Sequence, residues 1–170
     1  GNGQSASTPC TSCKSIKTYY PSSLDGVYYL RTPDGTQFQG YCDMTTDGGG
    51  WTMVLNYLHQ GGTNPALTNR ISDLPLLGSS TLGGNESGTS TWGHAIPALL
   101  NKFTFTDVRF YSITNQNPRI MHFKTSLAGV ITYIKTGSGS MSGIQSSYTT
   151  LAGHNAFLPA SASSFYTNQG

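Results

Sequence analysis

Few residues of this chain could do chemistry. Its 170 residues hold seven acids, four histidines and three cysteines. Cys10-Thr-Ser-Cys13 has the C-x-x-C spacing that serves redox and metal sites. A redox role asks for a βαβ context, and a zinc site for a second cysteine pair. Neither follows Cys13 in the sequence. Asp43 and Asp47 stand near each other, as general acid and base would, but each also suits the plainer task of capping a turn. Asp25, Asp34 and Asp47 lie in separate turn contexts without calcium-loop spacing. Serine and threonine occur throughout, so one near His94 or His154 carries no signal by itself, and no G-x-S-x-G or H-E-x-x-H run accompanies them. His122 falls inside a strand pattern, where a histidine is more often structural than a ligand, and His59 and His94 border loops. No catalytic constellation emerges, and an enzyme is the weakest of the functional readings.

What remains for binding is aromatic surface. Tyr19, Tyr20, Tyr28, Tyr29, Trp92, Tyr148, Phe165 and Tyr166 could stack on a sugar face or a partner, with about half of them expected in the core. Asn85-Glu86-Ser87 is a glycosylation sequon in a glycine-rich stretch, so Asn85 is a candidate acceptor.

The elements that must position these residues are mostly strands. Val27 to Leu30, bounded by Asp25-Gly26 and by Pro33-Asp34-Gly35, reads as a strand and turn, and Phe38 to Met44 returns as its partner. Gly48-Gly49-Gly50 cannot sit inside a strand and marks a tight turn or a close backbone approach. Beyond it, Trp51, Met53 and Leu55 alternate with Thr52, Val54 and Asn56, predicting a third strand with the first set buried. Lys14 to Tyr20 is expected to be a short helix or turn before Pro21. The stretch from Gly61 to Gly93 is loop-like, with one helical candidate from Pro65 to Leu77. His94 to Phe103 reads as a short helix, Phe103 to Phe110 and Ile120 to Lys124 as a hairpin across Asn115–Pro118, and Gly129 to Thr136 as a further strand. Ile144 to Leu151 and Ala156 to Leu158 are shorter strand candidates. The expected class is a β-rich α+β protein with mostly antiparallel sheets, one or two short helices and long Gly/Ser-rich loops.

Composition narrows the setting. Only 9% of residues are charged, far below the usual quarter, and net charge is +2. Without a basic cluster there is no electrostatic footprint for nucleic acid. No apolar run is long enough to span a membrane. A neutral surface rich in Gly, Ser, Thr, Asn and Tyr suits an extracellular protein, secreted or on a cell surface.

The run Tyr41-Cys42-Asp43-Met44, followed by Asp47-Gly48-Gly49-Gly50-Trp51-Thr52, resembles the signature near the start of fibrinogen C-terminal-like domains. Cys13-Lys14-Ser15-Ile16 and Asp25-Gly26-Val27-Tyr28 sharpen the resemblance toward the intelectin branch. It is specific from Cys13 to Val54. It implies a disulfide between Cys13 and Cys42, which would stabilise by roughly 3–4 kcal/mol through loop closure. Cys10 is then a free thiol or an intermolecular partner. The structural motif carried over is Gly48, Gly49, Gly50 and Trp51. The resemblance also suggests calcium and a glycan pocket, but no residue here matches those sites, so ligand-binding residues and cofactors are unassigned. The implied organisation is a flexible or exchanged N-terminal arm, residues 1–12, and a single fibrinogen-like domain, 13–170, shorter than the family's.

Two functions follow as expectations. One is a non-catalytic extracellular module that self-associates through its arm, as a homo-oligomer or filament in an assembly or adhesive structure. The other is a carbohydrate-binding recognition lectin.

Overall fold

A computed structural model describes residues 1–57, 68–76, 92–114 and 117–155. The elements in chain order are α1 (Cys13–Tyr19), β1 (Gly26–Arg31), β2 (Gln37–Asp43), β3 (Trp51–Thr52), β4 (Leu55–Asn56), β5 (Asn69–Arg70), β6 (Gly93–Ala95), α2 (Pro97–Leu100), β7 (Val108–Thr114), β8 (Asn117–Thr125), α3 (Ala128–Thr136) and β9 (Thr149–Thr150). Three small sheets, antiparallel but for the β5–β6 pair, and few short helices make the protein β-rich α+β. The chain divides into two compact units, Gly1–Phe103 and Thr104–Gly170.

In the first unit, α1 starts at Ser12, whose hydroxyl accepts the Ser15 N–H at 3.0 Å, a side-chain cap on an otherwise unpaired donor. Its inward face is Cys13 and Ile16, both fully buried. β1 and β2 pair antiparallel from Gly26↔Cys42 to Arg31↔Gln37. Tyr28 and Leu30 are buried from β1, and Phe38 and Cys42 from β2, as period two requires. The joining turn has Gly35 at positive φ, and the Asp34 carboxylate accepts from the Thr32 hydroxyl and the Thr36 N–H. These bonds, first the one from Thr32 and next that from Lys102, hold the Asp34 carboxyl well below the usual carboxylate range.

The third strand differs from expectation. β3 pairs with β2 only at Trp51 and Thr52, and β4 then joins a different sheet, ordered β4-β6-β5. Alternation over 51–56 assumed one sheet throughout, but the chain changes sheets at Met53–Val54. Leu55 is therefore exposed and Asn56 buried, the reverse of the expected faces.

Two helix expectations also shift. Asn69 and Arg70 form β5, so no helix runs through the described residues 68–76; the rest of the Pro65–Leu77 candidate lies outside them. The helix expected over His94–Phe103 is shorter: His94 and Ala95 belong to β6, and α2 is limited to Pro97–Leu100, with Pro97 in its first turn.

In the second unit, β7 and β8 form a long antiparallel pair, and β9 lies on the other edge of β8. β7 begins only at Val108, several residues after the expected start at Phe103. Gly129–Thr136, expected as a strand, lies in helix α3. Short apolar runs fit either element, and here Leu127, Val130 and Ile134 recur at helical spacing on the core around Phe123, Met141 and Ile144. Gly137, left-handed at φ 71°, ends α3, its N–H reaching Tyr133 O at 2.8 Å. Ile144–Ser146 is a 3₁₀ turn, leaving only Thr149–Thr150 of the expected strand over 144–151. The candidate Ala156–Leu158 lies outside the described residues.

Candidate functional site

The sequence-predicted site residues cluster where the N-terminal segment, α1 and the first sheet meet. Cys13 and Cys42 are disulfide-bonded, with Cα atoms 5.5 Å apart. The glycine run then passes close to α1. Gly48, Gly49 and Gly50 all have positive φ, and a Cβ on Gly50 would lie 2.9 Å from the Lys14 Cα. A Cβ on Gly49 would lie 2.1 Å from Met44 O. Side chains are excluded here because the chain must double back beside the cystine. Trp51, expected to be buried beneath this turn, is half-buried instead, and its indole N–H donates to Thr46 O at 3.0 Å. A polar edge that must reach the turn's carbonyl keeps the ring at the boundary.

The aspartates of this region shape turns. Asp25 accepts the Met44 N–H at 2.6 Å and the Thr45 hydroxyl at 3.0 Å, pinning the start of β1 to the end of β2. Asp43 accepts from the Thr45 and Thr46 amides. Tyr41 lies nearby, its phenol pushed up first by burial and then by the Asp25 and Asp43 charges.

The N-terminal segment is where the structure adds most. Residues 1–10 fold back on themselves, with Gly3 N–H on Thr8 O at 2.9 Å and Asn2 Oδ1 accepting from Gln4 N and the Thr8 hydroxyl. They then dock on the outer edge of β1. Tyr29 N–H donates to Gly3 O at 2.8 Å, Cys10 N–H to Tyr29 O at 3.0 Å, and Arg31 N–H to Cys10 O at 2.8 Å. Cys10 pairs parallel with Leu30 in an isolated bridge. The sequence offers this segment no home sheet, yet it lies on its own chain's β1. Its composition hides the fact because every β1 bond is main chain to main chain. Gly3 keys the dock: its φ is +73°, and a Cβ there would meet Ile16 Cδ1 at 2.9 Å and Tyr28 Cδ1 at 3.2 Å. Gly3 and Arg31 are not among the sequence candidates, and Tyr29 is one only for its ring, whereas the docking uses its main chain. The one available signal was Gly3 itself, a residue free to turn the chain just ahead of the Ser-Thr-Pro run.

Cys10 is a free thiol and only 6% exposed, covered by this docking. It cannot meet a partner's sulfur without the segment lifting from β1.

The other candidates disperse. Of the candidate binding aromatics, Trp92 and Tyr28 are buried, Tyr19 and Tyr20 are exposed, and Tyr29 and Tyr148 are half-buried. His94 shares a short hydrogen bond with the Tyr57 hydroxyl, and burial pushes the imidazole down and the phenol up. His59, Asn85, Phe165 and Tyr166 lie outside the described residues. Among the described residues no group of three or more His, Cys, Asp or Glu is placed to hold a metal ion. None of the described helices is long and apolar enough to cross a membrane. In the second unit an open cleft of about 530 Å³ is lined by Asp107, Lys124, Thr125, Ser126, Tyr148 and Thr149 among others. Thr125 spans its rims, donating to Ser147 O at 2.5 Å and accepting the Leu127 N–H at 3.1 Å.

Residues 13–66 match the family model for the C-terminal globular domain of fibrinogen beta and gamma chains. The match is partial, about a third of the chain, and covers the scaffold half of a fibrinogen-like domain. Its described portion, from α1 to Tyr57, is the cystine, hairpin and glycine-run assembly set out above.

Proposed function

We propose that this protein is an extracellular, non-catalytic fibrinogen-like module that self-associates by exchange of its N-terminal arm. The observation that carries the reading is the docking of residues 3–10 on β1 through main-chain bonds. Such bonds are blind to which copy supplies them. The same segment of a second copy can make the identical contacts, as in domain swapping and strand addition. Only Thr11 and Ser12 separate Cys10 from α1, so they form the hinge. Ten extended residues reach about 33 Å, enough to cross a neighbour of this size. Reciprocal exchange closes a dimer; head-to-tail exchange does not close and yields a filament. Lifting the arm uncovers Cys10, and docking on either copy covers it again. The low surface charge and the disulfide suit an oxidising extracellular setting.

The test is sedimentation of the full chain beside a chain lacking residues 1–10. The shortened chain should be a monomer prone to aggregate or unfold, because β1 loses its cover. If both sediment as the same stable monomer, arm exchange is excluded.

Carbohydrate recognition is the second reading, favoured by the cleft of the second unit. Hydroxyls of Thr125, Ser126 and Thr149 line it beside the Tyr148 ring and the Asp107 and Lys124 side chains, a polar wall suited to a polyhydroxylated ligand. A glycan array with and without EDTA tests it, and no binding in either condition rejects it.

A further inference from the structure

Two histidines far apart in sequence meet on β8 in protonation states that their hydrogen bonds define. The His122 side chain is 5% exposed. Its Nδ1 lies 2.8 Å from Ala152 O, an acceptor, so Nδ1 carries the proton. Its Nε2 then offers a lone pair, and Arg109 Nη1 donates to it at 3.1 Å. His154 has the opposite tautomer. Its Nδ1 accepts the backbone N–H of His122 at 2.9 Å, so its proton sits on Nε2. Both rings are neutral in this arrangement; His154 cannot take a second proton on Nδ1 and keep its bond to the His122 N–H, whereas His122 would lose only the Arg109 contact and keep Nδ1–H on Ala152 O. A proton on His154 Nδ1 would face the His122 N–H donor. A proton on His122 Nε2 would set an imidazolium against a guanidinium in a buried place.

These bonds share the holding of residues 151–155 with main-chain and Asn155 bonds to β8. Residues 151–155 follow β9 along the edge of β8, with Leu151 N–H on His122 O at 2.8 Å and Asn155 N–H on Ile120 O at 3.0 Å. The Asn155 side chain adds bonds to Ile120 N and Pro118 O. Ala152, Gly153 and Asn155 are exposed, so burial of apolar surface contributes little. Among the described residues, the other ionisable groups near the pair include Tyr111 from β7, edge-on to His122 at 5.1 Å, Lys124 two residues along β8, and Tyr148, whose ring is 6.1 Å from that of His154.

We propose that His154 is an acid-sensitive latch: its unprotonated Nδ1, accepting the His122 N–H, helps hold residues 151–155 on β8 at neutral pH, and the segment loosens when that ring protonates. Histidine is the side chain that changes charge in the mildly acidic range. Opening uncovers the β8 edge from Ile120 to His122, whose main-chain groups are then free to pair with another strand.

The latch is read by amide hydrogen exchange on the full chain, expressed as protection factors so that the intrinsic pH dependence cancels. Protection at Leu151 and Asn155 should fall by up to about tenfold per pH unit per proton taken up as the solution passes below the histidine range. Tyr29, on β1, should keep its protection. His154→Asn retains an acceptor at the Nδ1 position without a titratable ring, and its slope should be shallower than that of the native chain. Ring ¹⁵N spectra at neutral pH should show Nδ1–H on His122 and Nε2–H on His154. Flat protection at Leu151 and Asn155 from pH 8 to 5 would overturn the proposal. So would the opposite tautomers, or a pH profile in His154→Asn identical to the native one.

Discussion

Gly3→Ala is the perturbation that isolates the docked arm. The added methyl group touches no catalytic or ligand site; it changes only how residues 1–10 lie on β1. Two costs follow. At φ +73° a residue with a Cβ loses roughly 1–2 kcal/mol relative to its preferred backbone region. The Cβ also arrives 2.9 Å from Ile16 Cδ1 and 3.2 Å from Tyr28 Cδ1. Ile16 is fully buried and Tyr28 nearly so, which leaves little room to move aside. Taking the backbone cost alone, about 1–2 kcal/mol raises the population of the lifted arm about 5- to 30-fold. Cys10 reports that population directly. It is the one free cysteine of the three and is covered only while the arm is docked. Its alkylation rate under native conditions should rise by the same 5- to 30-fold in Gly3→Ala, with the disulfide intact. Exchange between copies should be faster with it, since exchange starts from the lifted state, while its equilibrium stays put because the methyl group opposes docking on either copy alike. An unchanged alkylation rate would show that Gly3 does not key the arm. A native Cys10 that reacts as fast as a small-molecule thiol would show that the arm does not cover it.

Other outcomes follow from the same geometry. Replacing both Cys13 and Cys42 with alanine should cost roughly 3–4 kcal/mol in denaturant unfolding, since the bond closes a loop with a sequence separation of 29; a loss under 1 kcal/mol would contradict the loop-closure account. Asp34 is held below its ordinary value of 3.8 by Thr32 and then Lys102, so its contribution is present above pH 3.8 and is lost as pH falls below it. A carboxyl titration by NMR should place Asp34 below 3.8, and Asp34→Asn should lose stability at pH 7 but not at strongly acid pH. His94 is held below 6.5 by burial, so stability is present above pH 6.5 and declines as pH falls through the lowered folded value. His94→Gln should flatten that part of the stability–pH curve, and an unchanged curve would refute the burial argument.

The elements that were legible share one property: their signals are local. Val27 to Leu30 and Phe38 to Met44 alternate within one sheet, and Pro33-Asp34-Gly35 joins them, so period and turn chemistry agree. The cystine and the glycine run carry a family pattern as well as a steric reason. Where two elements compete for the same residues, local pattern failed. Val130, Ile131, Tyr133 and Ile134 prefer strands by type, and only packing on Phe123 and Met141, with Gly137 as the stop, makes them helical. The residues that matter most for the proposed function were least legible, for a further reason. Cys10 meets Leu30 twenty residues on, and His122 meets His154 thirty-two residues on, each through a main-chain group on at least one side. A main-chain donor leaves no residue type to read. Edge docking of this kind is visible only once the sheet exists, and for the same reason it is the contact a second copy can most easily supply.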